Sequence, residues 1–272
     1  MIAPSFRHSQ GPILTPQPGV PWADTMVLNP SLVADPVTKR LHMLFRATGP
    51  WPQARRAGRP LPFPIFLGYA WSDDDGATWQ ADWTRPALAP ALAETADTIR
   101  VRAADGRTLV NHANGCVEDP RLGWIDGELH LTVACRMFPP GPYWEHDEPG
   151  QCAPEWASTG NHTLGRAARE NLTVTVLYRV DLSQLAARNY DRAFTYLTHL
   201  TDPERADNRD VFLFPSRLPM GGRLRYVALH RPFAPQRYGA PAGTPPCIYL
   251  AAADRIEDLP TDAAEHRLFA QS

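Results

Sequence analysis

Cysteine is scarce in this sequence: Cys116, Cys135, Cys152 and Cys247 form no CxxC pair and accompany no histidine cluster. Zinc-type spacing is therefore lacking, so no metal is expected, and the thiols are expected to be reduced, as in a cytoplasm. A surplus of charge is missing as well. Lys and Arg total 27 against 29 Asp and Glu, a formal net charge of -2, which points away from nucleic acid as a partner. No apolar run approaches the roughly 20 residues of a membrane span. The first residues, MIAPSFRHSQGPILTPQPG, lack the charged-then-apolar order of a secretory signal. The expectation is a cytoplasmic protein with no membrane partner, in which the sequons at Asn161 and Asn171 carry no meaning.

Helical patterning is also in short supply. The 29 prolines, against 18 glycines, suit short strands joined by long shaped loops. Only Leu182 to Arg192 and Asp262 to Leu268 offer a helical turn or two, on connections. What the chain does contain is a recurring β pattern over its 272 residues, 43% of them hydrophobic. MVLNPSLVAD from Met26 turns into RLHMLFRA, with FLGYAWS later. EDPRLGWID from Glu118 turns at Asp126-Gly127 into ELHLTVACR, with VTVLYRVDLS later. DVFLFPSRL from Asp210 turns at Gly221-Gly222 into RLRYVALHRP, with CIYLAAAD later. Asp-Gly and Gly-Gly between alternating apolar runs are hairpin signals.

Asn29, Asp119 and Asp210 anchor three such units, at about 11–90, 110–200 and 207–270, within a single domain. Repeated antiparallel units suggest propeller blades; a β-sandwich with three hairpins is the alternative. Ser72-Asp73-Asp74-Asp75-Gly76-Ala77-Thr78-Trp79 tips the balance, because it resembles the Asp-box turn of sialidase-like propellers. Asp74 can bond turn amides, Gly76 can take positive φ, and Trp79 can plug the hairpin. These carboxylates are turn formers rather than catalysts.

Chemistry concentrates at Glu118-Asp119-Pro120-Arg121. Pro120 fixes the backbone and removes a donor, and Arg121 can grip a carboxylate or a sugar hydroxyl with a forked contact. Taken alone, an Asp-Pro turn with a surface ion pair fits as well. Other elements accompany it in order: GPILTP (Gly11 to Pro16), Asn29-Pro30-Ser31, Phe45-Arg46-Ala47, Arg209-Asp210 leading to Leu213-Phe214-Pro215, and Leu229-His230-Arg231-Pro232. Together, from Gly11 to about Asp254, they resemble glycoside hydrolase family 130, the β-mannoside phosphorylases.

That resemblance implies an all-β, five-bladed propeller, here incomplete with about three blades present. It implies an inverting phosphorylase that cleaves a β-mannoside with phosphate and releases α-mannose 1-phosphate. Asp119 maps to the catalytic acid, working through a sugar hydroxyl relay. Asn29, Arg46 and Arg121 fall to the sugar; Arg209, His230, Arg231 and Arg136 fall to phosphate. Inorganic phosphate is then a co-substrate, no cofactor is needed, and a small oligosaccharide is the partner molecule. The inventory makes chemical sense. An inverting hydrolase needs an acid and a base with room for water, whereas phosphate is already an anionic nucleophile and needs only cations to bind and orient it. A β-mannoside hydrolase and a non-catalytic sugar-binding propeller are the rivals. A core histidine bonded to a strand carbonyl is the other reading of His230.

The sequence departs from the family pattern where Arg209 replaces a frequent lysine, and Arg136 matches only approximately. A proline-bearing loop, Phe138 to Trp156, is unfamiliar; Trp144 and Trp156 there fit either sugar stacking or loop packing. If nothing closes the ring, the end blades should expose apolar side chains such as Leu250 and Phe269, and a homo-oligomer is one outcome.

Overall fold

The computed structural model describes residues 11–49, 65–90, 116–136, 173–201, 208–261 and 263–271, together with the backbone of four short strands at 55–56, 59–60, 100–102 and 108–110. Cys152, Trp144, Trp156 and both sequon asparagines lie outside the described residues. Strands β1 (Met26–Ala34) and β2 (Leu41–Thr48) are followed by the ribbon β3 (Arg55–Arg56) and β4 (Arg59–Pro60), then by β5 (Phe66–Ser72) and β6 (Gln80–Asp82). A second ribbon, β7 (Arg100–Arg102) and β8 (Thr108–Val110), precedes β9 (Val117–Ile125), β10 (Glu128–Arg136), β11 (Thr173–Val180) and β12 (Phe194–His199). Two short helices, α1 (Leu182–Ala186) and α2 (Tyr190–Ala193), link the last two of these strands. The third group is β13 (Val211–Leu213), β14 (Leu218–Met220), β15 (Arg223–His230), β16 (Cys247–Ala253) and β17 (Glu265–Gln271).

The main sheets run β1-β2-β5-β6, β9-β10-β11-β12 and β13-β15-β16-β17, with β14 alongside β15. Every pairing is antiparallel, and in each main sheet the strands follow chain order, with only the β3–β4 ribbon and β14 interposed, the up-and-down order of a propeller blade. Central strands such as β2 and β10 are buried almost throughout, so their apolar runs need not alternate. The expected turns form. Asp126 and Gly127 take φ of 49° and 84°, and Gly221 and Gly222 take 60° and 77°, as a type I′ hairpin requires. In the Asp-box, Thr78 N and Thr78 Oγ1 donate to the two oxygens of Asp74 at 2.8 and 2.6 Å. Hydrogen bonds from Thr78 and Ser72 draw the Asp74 carboxyl down to about 2, so it is a structural anion.

The structure corrects one element. Asp262 to Leu268 is expected to be helical, but its described part, 263–268, is not; β17 starts at Glu265 and pairs with β16 as the outer strand of the third blade. A segment with neutral intrinsic preference becomes a strand because an open sheet edge lies beside it.

Two cores join the three blades. Leu44, Leu67 and Tyr69 of the first meet Val117, Leu131, Val133 and Tyr178 of the second. Ile125 and Leu177 of the second meet Val211, Ala228 and Ala251 of the third. On the opposite face of the third blade Phe212 is 51% exposed, and Phe269 on β17 is 59% exposed, while Leu250 is half-buried. A polar pin backs up the first seam: Tyr190 Oη donates to Asp82 Oδ2 at 2.7 Å, with its ring edge-on to Tyr69. Tyr190→Phe removes this charge-assisted bond while keeping the ring. It should lower unfolding stability by about 1.5–3 kcal/mol, read from urea denaturation; a loss near zero would show that the pin contributes nothing.

Candidate active site

Two bulges build the site. Between Leu28 and Ser31, β1 has one residue more than β2 opposite it, and between Glu118 and Arg121, β9 has one more than β10. The extra turn of chain is Asn29-Pro30 in one and Asp119-Pro120 in the other. Proline suits a bulge because it has no N–H to leave unpaired. Asn29 and Asp119 take φ of 46° and 54°, in the left-handed region where Asn and Asp are the least strained side chains after glycine. A bulge re-aims the side chain it carries, and here it turns both toward the same point. β1 and β9 lie side by side, with Leu122 N donating to Ser31 Oγ at 2.8 Å.

The result is a polar cluster across the first seam. Asn29 Nδ2 donates to Asp119 Oδ1 at 2.7 Å, and Arg46 Nη1 donates to the same oxygen at 3.2 Å. Arg46 Nη1 also lies 2.7 Å from Glu118 Oε2, whose side chain is only 7% exposed. With both donors on Oδ1, the second oxygen of Asp119 has no partner among the described residues. Arg136, half-buried on β10, belongs to the same neighbourhood. Burial and Glu118 push the Cys116 thiol up, while Arg136 and Arg46 oppose them. The sequence had not singled out Glu118, although it stands inside the EDPR run.

Arg121 leads to the third blade. Its Nη1 reaches the Asp119 carbonyl at 3.4 Å, and its Nη2 pairs with Asp210 Oδ1 at 3.2 Å. Arg231 holds the other oxygen of Asp210. Arg209 and Arg231 both stack on Phe233, at 5.3 and 5.4 Å from its centroid. Arg121, Asp210, Arg231 and Phe212 border an open cavity of about 400 Å³. Phe233 was missed because nothing in a single sequence marks an aromatic as the support of two arginines.

His230 differs from its companions. It borders the same cavity, but it is 4% exposed, with Asn208 Nδ2 2.8 Å from Nδ1 and His266 Nδ1 3.3 Å from Nε2. Burial, and then the neighbouring His266, push it down to about 3, so the ring is neutral. The expectation that His230 offers a phosphate a positive charge does not fit this geometry. The alternative, a core histidine, is the better description, with an asparagine side chain in place of a strand carbonyl.

No protein-family model and no curated protein matches this sequence. Solved structures do. One was reported with the finding that the GH130 family of mannoside phosphorylases contains glycoside hydrolases that target β-1,2 mannosidic linkages in Candida mannan. The likeness covers 98% of this chain and 61% of that one, at 13% identity and a TM-score of 0.52. The fold is of the five-bladed propeller type. Three of its blades lie among the described residues. Two further likenesses score lower. A glycosyl hydrolase from Bacteroides ovatus matches at 13% identity and a TM-score of 0.49, over 93% of this chain and 57% of that one. A β-1,2-mannobiose phosphorylase from Listeria innocua, in complex with β-1,2-mannobiose, matches at 14% and 0.45, over 88% and 58%. The chain thus covers less than two thirds of each of these structures.

The buried His230 gives a pH prediction. Its folded value lies below the ordinary histidine value of 6.5, so as pH falls below 6.5 the unfolded chain takes up a proton that the folded chain refuses. Stability should fall as pH drops from about 6.5 toward 3. His230→Gln keeps polarity without titrating, so the Tm gap between wild type and variant should narrow across that window. A constant gap would contradict the assignment.

Proposed function

We propose that the chain is an inverting glycoside phosphorylase, with Asp119 as the acid acting on a β-mannoside and phosphate as the nucleophile. One observation carries the reading. Asp119 has one carboxyl oxygen without a partner among the described residues, while Arg121 and Arg231 meet at Asp210, and Arg209 and Arg231 at Phe233. An acid with one oxygen tied down by donors must carry its transferable proton on the other. Asn29 and Arg46 hold that geometry and supply hydrogen bonds for a sugar placed over it. Three guanidiniums, permanently charged and forked, match the oxygens of a phosphate. Arg136, on β10, adds positive charge near Cys116. The product is α-mannose 1-phosphate, and no cofactor takes part.

Asp210 favours examining one rival. Its carboxylate shares Arg121 with the acid end, so in a hydrolase it would be the base that activates water. Incubation with β-1,2-mannobiose, with and without phosphate, separates the readings: mannose 1-phosphate formed only with phosphate supports the phosphorylase. Free mannose formed without phosphate supports the hydrolase, and binding without turnover supports a sugar-binding propeller. Asp119→Asn should fold and bind sugar but lose roughly 10²–10⁴-fold in kcat. Retention of more than about a tenth of the rate would remove Asp119 from the role.

A further inference from the structure

We propose that the inner seam between the second and third blades holds a binding site for a small aromatic acid with a ring hydroxyl, a ligand distinct from the sugar and the phosphate. Arg121 and Phe212, which border the arginine-lined cavity, also border a second cavity of about 210 Å³. Leu122, Trp124, Ile125, Phe212, Leu213 and Pro215 make most of its wall apolar. A cavity of roughly 150 Å³ is enough to accept benzene, so one ring fits. The room has a definite source. Gly123 lies inside β9 with its φ outside the left-handed region, and a Cβ built on it would meet no heavy atom within 4 Å. Neither backbone conformation nor crowding therefore calls for glycine there. A glycine inside a strand often marks the close approach of another group, and here it leaves the space of a ring.

The register of β9 against β10 sets polar groups at both ends of that space. Arg121 pairs with Thr132, and Gly123 pairs with His130. At the Arg121 end, Thr132 is 4% exposed and its Oγ1 has no partner among the described residues. A buried hydroxyl left in that state is costly. The charged side chains bordering the neighbouring cavity are Arg121, Arg231 and Asp210, two guanidiniums for one carboxylate. A carboxylate placed here takes N–H groups from Arg121 and the hydroxyl of Thr132. At the Gly123 end, His130 is 6% exposed and its Nδ1 lies 3.1 Å from the Glu128 carbonyl oxygen. That oxygen can only accept, so Nδ1 carries the proton. Burial holds the imidazole below the usual histidine value, and the ring is neutral. Its Nε2 is then an acceptor with no partner among the described residues, suited to a ring hydroxyl. The two ends are two strand residues apart, about 6.8 Å, the scale of a para-substituted benzene.

The test compares acetate, benzoate and 4-hydroxybenzoate by calorimetry on the full chain at neutral pH: the head alone, the head with a ring, and both with a hydroxyl. Benzoate should bind about tenfold or more tightly than acetate, from the apolar area of its ring, and 4-hydroxybenzoate more tightly still. Gly123→Val suits a strand and puts a branched side chain into the space, so it should reduce 4-hydroxybenzoate to the level of acetate. Benzoate no tighter than acetate, or an advantage that survives Gly123→Val, would overturn the proposal and leave the cavity a gap in the seam. If that variant does not fold, NMR on the wild type decides. The ring protons of 4-hydroxybenzoate should show nuclear Overhauser contacts to the methyl groups of Thr132 and Leu213, and a lack of them would overturn the site. The proposal stands apart from the phosphorylase reading, since none of these measurements needs turnover. A chain that binds 4-hydroxybenzoate but not inorganic phosphate would support this site and count against the phosphorylase.

Discussion

The hydrogen bond from Asn29 to Asp119 is the constraint on which the site depends. It joins two inner strands that share no sheet, and it forms only if both strands bulge at the same height. Neither bulge is a low-energy choice. Each puts a non-glycine residue at positive φ directly before a proline, where backbone freedom is already narrow. Such strain persists only where the surroundings over-determine it. Here the surroundings are the apolar seam of Leu44, Leu67, Val117 and Leu131 nearby, and the Ser31–Leu122 bond along the strands. Packing holds the strands in register, and the bulges convert that register into convergence of polar side chains.

The site was legible in the sequence wherever the physics is local. The Asp-box turn, the Asp-Gly and Gly-Gly hairpins and the two X-Pro steps depend on residues within a few positions, and each forms as its sequence suggests. β17 was not legible, because Asp262 to Leu268 has no strong preference of its own and the partner that settles it is β16. The burial of His230 was not legible either. Adjacent residues of a strand point to opposite faces, so whether a histidine or the arginine beside it reaches the open side depends on register alone. The resemblance brought forward His230 and Arg231 together, and the sheet separates them: Arg231 pairs with Asp210 while His230 meets Asn208 and His266. Glu118 was in view but silent, since its importance lies in a cation supplied by the preceding blade.

The arginines of the third blade show why a charge cluster can exist before any ligand arrives. Guanidiniums cannot escape mutual repulsion by losing a proton, so a group of them needs a built-in counterweight. Asp210 provides one, with Arg121 and Arg231 on separate oxygens, and the Phe233 ring provides another, through its contacts with Arg209 and Arg231. Among the described residues, these partners leave the forks of Arg121 and Arg231 only partly used. The Asp210 pairs are also substantially exposed, Arg121 by 38% and Arg231 by 47%, so water and salt weaken them. A carboxylate that holds arginines loosely can align them without saturating them. The Arg46–Glu118 contact is the opposite case, close and nearly dry. Arg121 touches both regions, the Asp119 backbone at one end and the Asp210 carboxylate at the other. A buried, tightly matched charge pair therefore fixes the acid end of the site, and an exposed, loosely matched one leaves the cationic end open to exchange.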